Sequence, residues 1–408
     1  MNTDPEKILS PEADSTKAQI DQILSLGLTN FTLREMLGFL LSNLGAAERK
    51  AFLSNASQDK ANGFYPRSLS VGSLPVEVEV PRTRSGDFRP ASLPAPYQRG
   101  YTDESQALLA SVLASSRSLN SAKEALHRMG LSVPDQDLDR VAEAFVEELQ
   151  LRNSRPLDPD LTALYLDAKY VEIRESDRLR QAAIYLAVGL LRDGTKRVLS
   201  CTTRLGRENL EDWKLVLRNL AERGLRRVLL IVQDDFSGLL PVTSRLFPNA
   251  DVQLCVVHMQ RNAHKHLSKS DSAEFQQRWR NIKASWNSET GALAFDQLCD
   301  RFHSSAPKFI DELRRKKAHY LHFLDYPASI RRSFSTTNAV EAVNGQLEIM
   351  RRNSGGYFHS ESTLALKLGI AVTSLENSTS WKRPCGHLAA CINQLDALFQ
   401  KRYEQEAD

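Results

Sequence analysis

The chain has 408 residues, 41% of them hydrophobic and 25% charged, a composition that suits a soluble globular protein of two or three domains. No run reaches the roughly 18 apolar residues that a membrane span needs, and the polar opening MNTDPEKILSPEAD lacks the apolar core of a signal peptide, so a cytoplasmic location with no membrane partner is expected. Five scattered cysteines (Cys201, Cys255, Cys299, Cys385, Cys391) argue against a disulfide framework, and a net charge of +3 leaves nucleic-acid affinity to local clusters.

Residues 1–60 read as an N-terminal helical region, with Ile20, Ile23, Leu24 and Leu28 and then Leu33, Met36, Leu37, Leu40, Leu41 and Leu44 at helical spacing, broken near Gly27 to Asn30. A second stretch, 61–152, opens with Val76, Val78 and Val80 alternating with Glu77 and Glu79, which predicts a short ribbon. A proline-punctuated arm carrying Arg82, Arg84 and Arg89 follows. Helical patterns resume at 104–150, with Asn120 or Ser121 as a cap, and are compatible with a helix-turn-helix DNA reader or with any small helical bundle.

After the linker NSRPLDPD the pattern turns to strands: 163–174, 181–191 and 196–205, the last two joined at Asp193-Gly194, a hairpin signal. An amphipathic helix (209–224), the strand RRVLLIVQDD, the helical SGLLPVTSRLF and the strand VQLCVVH (252–258) complete the first part of an α/β domain, 160–262. Three antiparallel strands followed by helix, strand, helix and strand is the ribonuclease H-like order. Residues 263–332 read as an all-helical insertion, with Trp279 and Trp286 on one face. Within it, Arg301 to Arg332 holds eight Lys/Arg against three Asp/Glu, including the run Arg314, Arg315, Lys316, Lys317, which suits either phosphate contacts or a solvated helix face. Residues 333–408 return to the α/β domain through the amphipathic helix FSTTNAVEAVNGQLEIMRR (334–352) and end in peripheral helices.

Three acids stand out by position: Asp167 in the middle of the first strand, Asp234 or Asp235 at the end of the fourth, and Glu341 in the first turn of the late helix. A half-buried carboxylate must be paired or bind a cation. Three of them together call for a dication, and hard oxygen ligands favour Mg²⁺ or Mn²⁺. Two such ions about 4 Å apart can activate a nucleophile on one side of a phosphodiester and stabilise the leaving oxygen on the other.

Each acid also has a plain alternative. Asp167 can pair with Lys169, and Asp235 can start the following helix. Asn338 with Glu341 fits the N-cap and N3 positions of a capping box. Cys255-x₂-His258 with Cys299 and His303 offers a weak zinc pattern. In the favoured reading Cys255 fills the core and His258 stands near the acids. Nucleophile-elbow and Walker-type motifs are absent from the sequence.

LYLDAKYVEIR, VLLIVQDDFSGL, LFPNADVQLCVVHMQRNA and STTNAVEAVNGQLEIMRR, in that order, resemble the catalytic blocks of the Mutator-type transposases of bacterial insertion sequences, and the likeness runs nearly end to end. The resemblance implies a DDE transposase with Asp167, Asp234 and Glu341 as catalytic and metal-binding residues, 67 and 107 residues apart in sequence. It demotes Asp235, which stands where the family often has a small residue.

It further implies binding of terminal inverted repeats and target DNA, 3′-end cleavage and strand transfer with two Mg²⁺ or Mn²⁺ ions, and a homodimer or higher assembly. His258, Arg261, Asn262, Arg82, Arg84, Arg314, Arg315, Lys316 and Lys317 are the expected DNA contacts. The competing expectations are a decayed or domesticated transposase acting as a DNA-binding regulator, and a ribonuclease H-like nuclease or resolvase.

Overall fold

The computed structural model describes residues 32–55, 58–71, 74–93, 103–129, 131, 133–175, 178–384 and 386–403. The apolar positions Ile20 to Leu28, the end of the proline-rich arm and Cys385 lie outside them. The chain divides into two compact units, Met1–Val112 with Asn120–Val141, and Leu113–Leu119 with Ala142–Asp408.

In the first unit, helix α1 (Leu33–Asn55) lies on the hairpin β1 (Ala61–Val71) and β2 (Leu74–Thr83). The alternation of β2 sends Val76, Val78 and Val80 to one face, where they pack with Leu69, Leu93, Leu37 and Leu41. Glycine lets the helix come this close: a Cβ on Gly38 would stand 2.4 Å from the Glu77 carbonyl oxygen. Helices α2 (Asp103–Ser115), α3 (Leu119–Arg128) and α4 (Asp135–Arg152) follow, with α4 from Ala142 onward belonging to the second unit. Because α3 begins at Leu119, Asn120 and Ser121 fall inside its first turn and do not cap it.

The second unit is built on a mixed sheet. Its strands are β3 (Asp160–Glu175), β4 (Arg178–Leu190), β5 (Lys196–Leu205), β6 (Arg227–Gln233) and β7 (Asp251–Leu254), in the order β5-β4-β3-β6-β7. The first three pair antiparallel, and β6 and β7 add in parallel. The turn from β4 to β5 is the expected Asp193-Gly194 pair: Gly194 sits at φ +82°, and the Asp193 carboxylate accepts from the Thr195 amide at 2.8 Å.

Parallel pairing of β3 and β6 requires a crossover, supplied by β4, β5 and the amphipathic helix α5 (Leu210–Glu222). Trp213, Val216, Leu217 and Leu220 of α5 pack on Leu164, Leu166, Tyr185 and Ile231 of the sheet. Helix α6 (Leu239–Leu246) connects β6 to β7.

Two strands end earlier than their apolar runs suggest. β6 stops at Gln233, so Asp234 and Asp235 lie in the loop that follows. β7 stops at Leu254, and Cys255 is the N-cap of helix α7 (Val256–His266), which places His258 in a helical turn and not at a strand end. Val256 is fully buried in α7, as it would be in a strand, so hydrophobicity cannot mark the switch.

Helices α8 (Lys269–Lys283), α9 (Ser288–His303) and α10 (Pro307–Arg315) pack around Phe275, Trp279, Phe295 and Phe302. Trp279 and Trp286 do not share a face. α8 ends at Lys283, leaving Trp286 in the connection, 90% exposed, while Trp279 is buried. Helix α11 (Asn338–Asn353) returns to β3, and α12 (Glu361–Asn377) and α13 (Ile392–Tyr403) follow. The predicted helix from residue 334 begins only at Asn338.

Candidate active site

The last parallel pair of β3 and β6 is Tyr165 with Val232, so Asp167 and Asp234, each two residues on, reach the same level of the sheet. One imidazole faces both. His258 Nε2 is 3.9 Å from Asp167 Oδ1, and His258 Nδ1 is 3.7 Å from Asp234 Oδ1. One turn further along α7, Arg261 lies 3.4 Å from His258 Nε2 and 3.6 Å from Glu341 Oε1. The three acids therefore border one cationic pair, two through the imidazole and the third through the guanidinium.

Asp167 is 5% exposed. Burial, with the charges of Asp234 and Glu208 adding to it and that of His258 opposing, pushes its carboxyl up to about 7. Burial alone would lower His258. The neighbouring Cys255 thiol and the negative charges of Asp234 and Asp167 outweigh it and raise the imidazole to about 9.

Glu341 is free of capping duty. The N-cap of α11 is Thr337 and not Asn338, and no side chain caps the helix, so the alternative of a capping box does not form and the carboxylate is left to Arg261. Asp235 caps nothing either: the N-cap of α6 is Gly238. Its carboxylate instead accepts from Lys316 Nζ at 2.6 and 2.7 Å and from the Tyr320 hydroxyl at 3.4 Å.

Two residues that sequence reasoning missed belong here. Glu208, before α5, accepts from Trp213 Nε1 at 2.7 Å. Burial and the Asp234 charge raise its pKa. Asn344 of α11 donates to Asp167 Oδ2 at 3.1 Å. Its spacing of three from Glu341 was a usable signal, since i and i+3 share a helix face.

A family profile described as "Transposase, Mutator family" matches residues 4–384. The chain belongs to the Mutator family of transposases. It is 26% identical over 353 residues to the transposase for insertion sequence element ISRM3 of Rhizobium meliloti, covering 86% of this chain and 87% of that one. To the transposase for insertion sequence element IS905 of Lactococcus lactis it is 26% identical over 377 residues, 90% and 94% of the two chains. A solved Drosophila P element transposase strand transfer complex matches at 14% identity over 75% of this chain and 74% of that one. The TM-score of that match is 0.23.

The remaining expected DNA contacts of the transposase are less uniform. Asn262 is exposed on α7 beside Arg261. In the basic run, by contrast, each charge has an acid at hand: Arg314 meets Asp300, Arg315 meets Glu312, Lys316 meets Asp235 and Glu312, and Lys317 meets Asp296. In the first unit, Arg82 stacks over Tyr65, 5.5 Å from the ring centre, and with Arg67 and Arg89 lines a hollow of about 430 Å³ on the hairpin. Arg84 is exposed next to it in sequence.

Asp167, Asp234 and Glu341 offer hard carboxylate oxygens, the donor chemistry that Mg²⁺ and Mn²⁺ take. Asp167 is buried and shares one imidazole with Asp234, a concentration of carboxylates that a dication would relieve. Among the described residues no three His, Cys, Asp or Glu side chains are already drawn together as a metal cage. The zinc pattern gains nothing: His303 is 3.2 Å from Asp311, and Cys299 is fully buried in the helical block. Among the described residues no helix is long and apolar enough to cross a membrane.

Proposed function

We propose that this insertion sequence transposase is a DDE enzyme with a ribonuclease H-like catalytic domain, in which Asp167, Asp234 and Glu341 hold one or two Mg²⁺ or Mn²⁺ ions and act on the ends of the element. The observation that carries the reading is the placement of Asp167 and Asp234 within 4 Å of the same imidazole, with Glu341 one guanidinium away. The sheet order, three antiparallel strands extended by two parallel ones, supports the fold assignment. Bound there, the metal would supply a nucleophile at neutral pH and stabilise charge on the leaving oxygen.

The chain's own residues do the rest. Asp167, fixed on β3, and Asp234, on the loop after β6, present oxygens from two adjacent strands. His258 and Arg261 supply the positive charge between the acids in this structure and stand where a phosphate would approach. Exposed Arg261 and Asn262 are the proposed strand contacts nearest the acids, and Arg82 and Arg84 the proposed contacts of the first unit with the terminal inverted repeats. Processing two ends together implies a homodimer or higher assembly.

A labelled duplex carrying the element's end, incubated with Mg²⁺ or Mn²⁺, tests this. Asp167→Asn, Asp234→Asn and Glu341→Gln are each expected to bind the duplex and fail to cut it. Cutting at the wild-type rate by any of the three would remove that residue from the site.

A further inference from the structure

Helix α11 runs beside β3 in a matched register. Asn344 and Glu348, four residues apart on one helix face, reach Asp167 and Lys169, two residues apart on one strand face. Lys169 Nζ donates to the Asn344 carbonyl at 3.0 Å and lies 3.3 Å from Glu348 Oε2. These contacts tie the helix that carries Glu341 to the strand that carries Asp167.

A purely mechanical tie explains only half of the Asn344 side chain. Its Nδ2 is used, but its Oδ1 is buried and has no hydrogen-bond partner. Leaving a buried acceptor empty is unfavourable, because the atom gives up its bond to water and gains none. Turning the amide over does not cure this, because it would set the amide oxygen against the Asp167 carboxylate and leave the NH₂ group unpaired. An unpaired hard oxygen next to Asp167, on the same helix face as Glu341, has the chemistry to face a cation held by the two acids.

We propose that Asn344 is a positioning residue of the acidic site, its amide N–H fixing Asp167 and its amide oxygen facing the divalent cation or a water bound to it. The inference rests on the metal reading given above and adds a fourth oxygen-bearing side chain to it.

The test is calorimetric titration of the full-length protein with MnCl₂, alongside thermal melting, for wild type, Asp167→Asn, Asn344→Leu and Asn344→Asp. Wild type is expected to bind Mn²⁺ and Asp167→Asn is expected not to. Asn344→Leu, close in size but without either polar atom, is expected to weaken Mn²⁺ binding by about tenfold or more, the usual cost of losing a partner of a metal ligand. Asn344→Asp keeps an oxygen at that place but loses the N–H that fixes Asp167, so it is expected to bind Mn²⁺ more tightly than Asn344→Leu and less tightly than wild type. Melting temperatures separate this from a mechanical role, which would lower stability and leave Mn²⁺ affinity alone. Wild-type affinity in Asn344→Leu, or an Asn344→Asp variant as weak as Asn344→Leu, overturns the proposal. If Asp167→Asn binds Mn²⁺ like wild type, the metal reading itself falls and takes the proposal with it.

Discussion

The two adjacent acids after β6 have separable jobs, and a pair of substitutions tells them apart. Asp235 and Lys316 are both partly buried, with side chains 28% and 22% exposed, and they share two short contacts. Asp235→Asn keeps the shape and removes the charge. Lys316 then retains Glu312 at 2.7 Å, so the ammonium is not stranded. The loss lies between that of an exposed pair and that of charged hydrogen bonds in the interior, about 1–3 kcal/mol. At about 2–4 °C per kcal/mol for a unit of this size, the melting temperature should fall by roughly 2–12 °C.

Cleavage of an element-end duplex at 25 °C, where the variant is still folded, should stay close to wild type. Asp234→Asn should do the reverse, melting within about a degree or two of wild type on that scale, while cleavage falls by at least about a hundredfold, the upper end for losing even an outer partner of a metal site. Lys316→Met combined with Asp235→Asn should cost less than the sum of the two, as expected for residues in direct contact. A folded Asp235→Asn protein that no longer cuts, or an Asp234→Asn protein that does, refutes the division of labour.

Three further outcomes follow from packing and charge. The Gln233 amide is fully buried with neither polar atom partnered, so Gln233→Met should raise stability by about 1 kcal/mol, read by urea denaturation. A decrease would mean that the amide has a partner such as an internal water. A Cβ on Gly369 of α12 would stand 2.3 Å from the Phe145 carbonyl oxygen of α4, and backbone cannot step aside as a side chain can. Gly369→Ala should therefore destabilise by about 1–3 kcal/mol, and an unchanged melting temperature would contradict that packing. Hydrogen bonds from Arg351 and Arg352, with Lys169 nearby, lower the Glu348 carboxyl to about 2. A depressed carboxylate pKa stabilises the fold in full above the unfolded value of about 4.3, and the contribution is lost as pH falls towards 2. Glu348→Gln should flatten the acid limb of stability against pH in that window, and an unaltered limb would show that the carboxylate is not held.

The sheet was legible wherever local pattern and geometry agree. The apolar runs of β3, β4 and β6, the Asp193-Gly194 turn and the alternation of Val76, Val78 and Val80 all appear in the places expected. Partners from distant parts of the chain were not legible. Nothing near Asp235 in sequence announces Lys316, and the excess positive charge of Arg314 to Lys317 reads as a free patch until Asp296, Asp300 and Glu312 are placed beside it. Glu208 was missed because a charged residue before an amphipathic helix ordinarily serves its first turn, whereas here it is turned to Trp213.

The Cys255-x₂-His258 element finds its explanation in this long-range order. Cys255 donates its amide to the Gln233 carbonyl at 2.7 Å, the residue before Asp234, and the next amide, of Val256, donates to Ser335 at 3.0 Å. The Cys255 thiol lies 3.6 Å from the Thr337 hydroxyl, and Thr337 is the N-cap of the helix that bears Glu341. The start of α7 is thus bonded on one side to the strand end carrying Asp234 and on the other to the helix start carrying Glu341. Burial raises the Cys255 thiol, but the His258 imidazole outweighs it and leaves the pKa lowered, so the small side chain serves the junction and the histidine together. From that junction a single helical turn sets His258 between two of the acids, and the next sets Arg261 against the third. Spacing that resembles a zinc motif is satisfied here by backbone hydrogen bonds that hold three distant segments of chain in register.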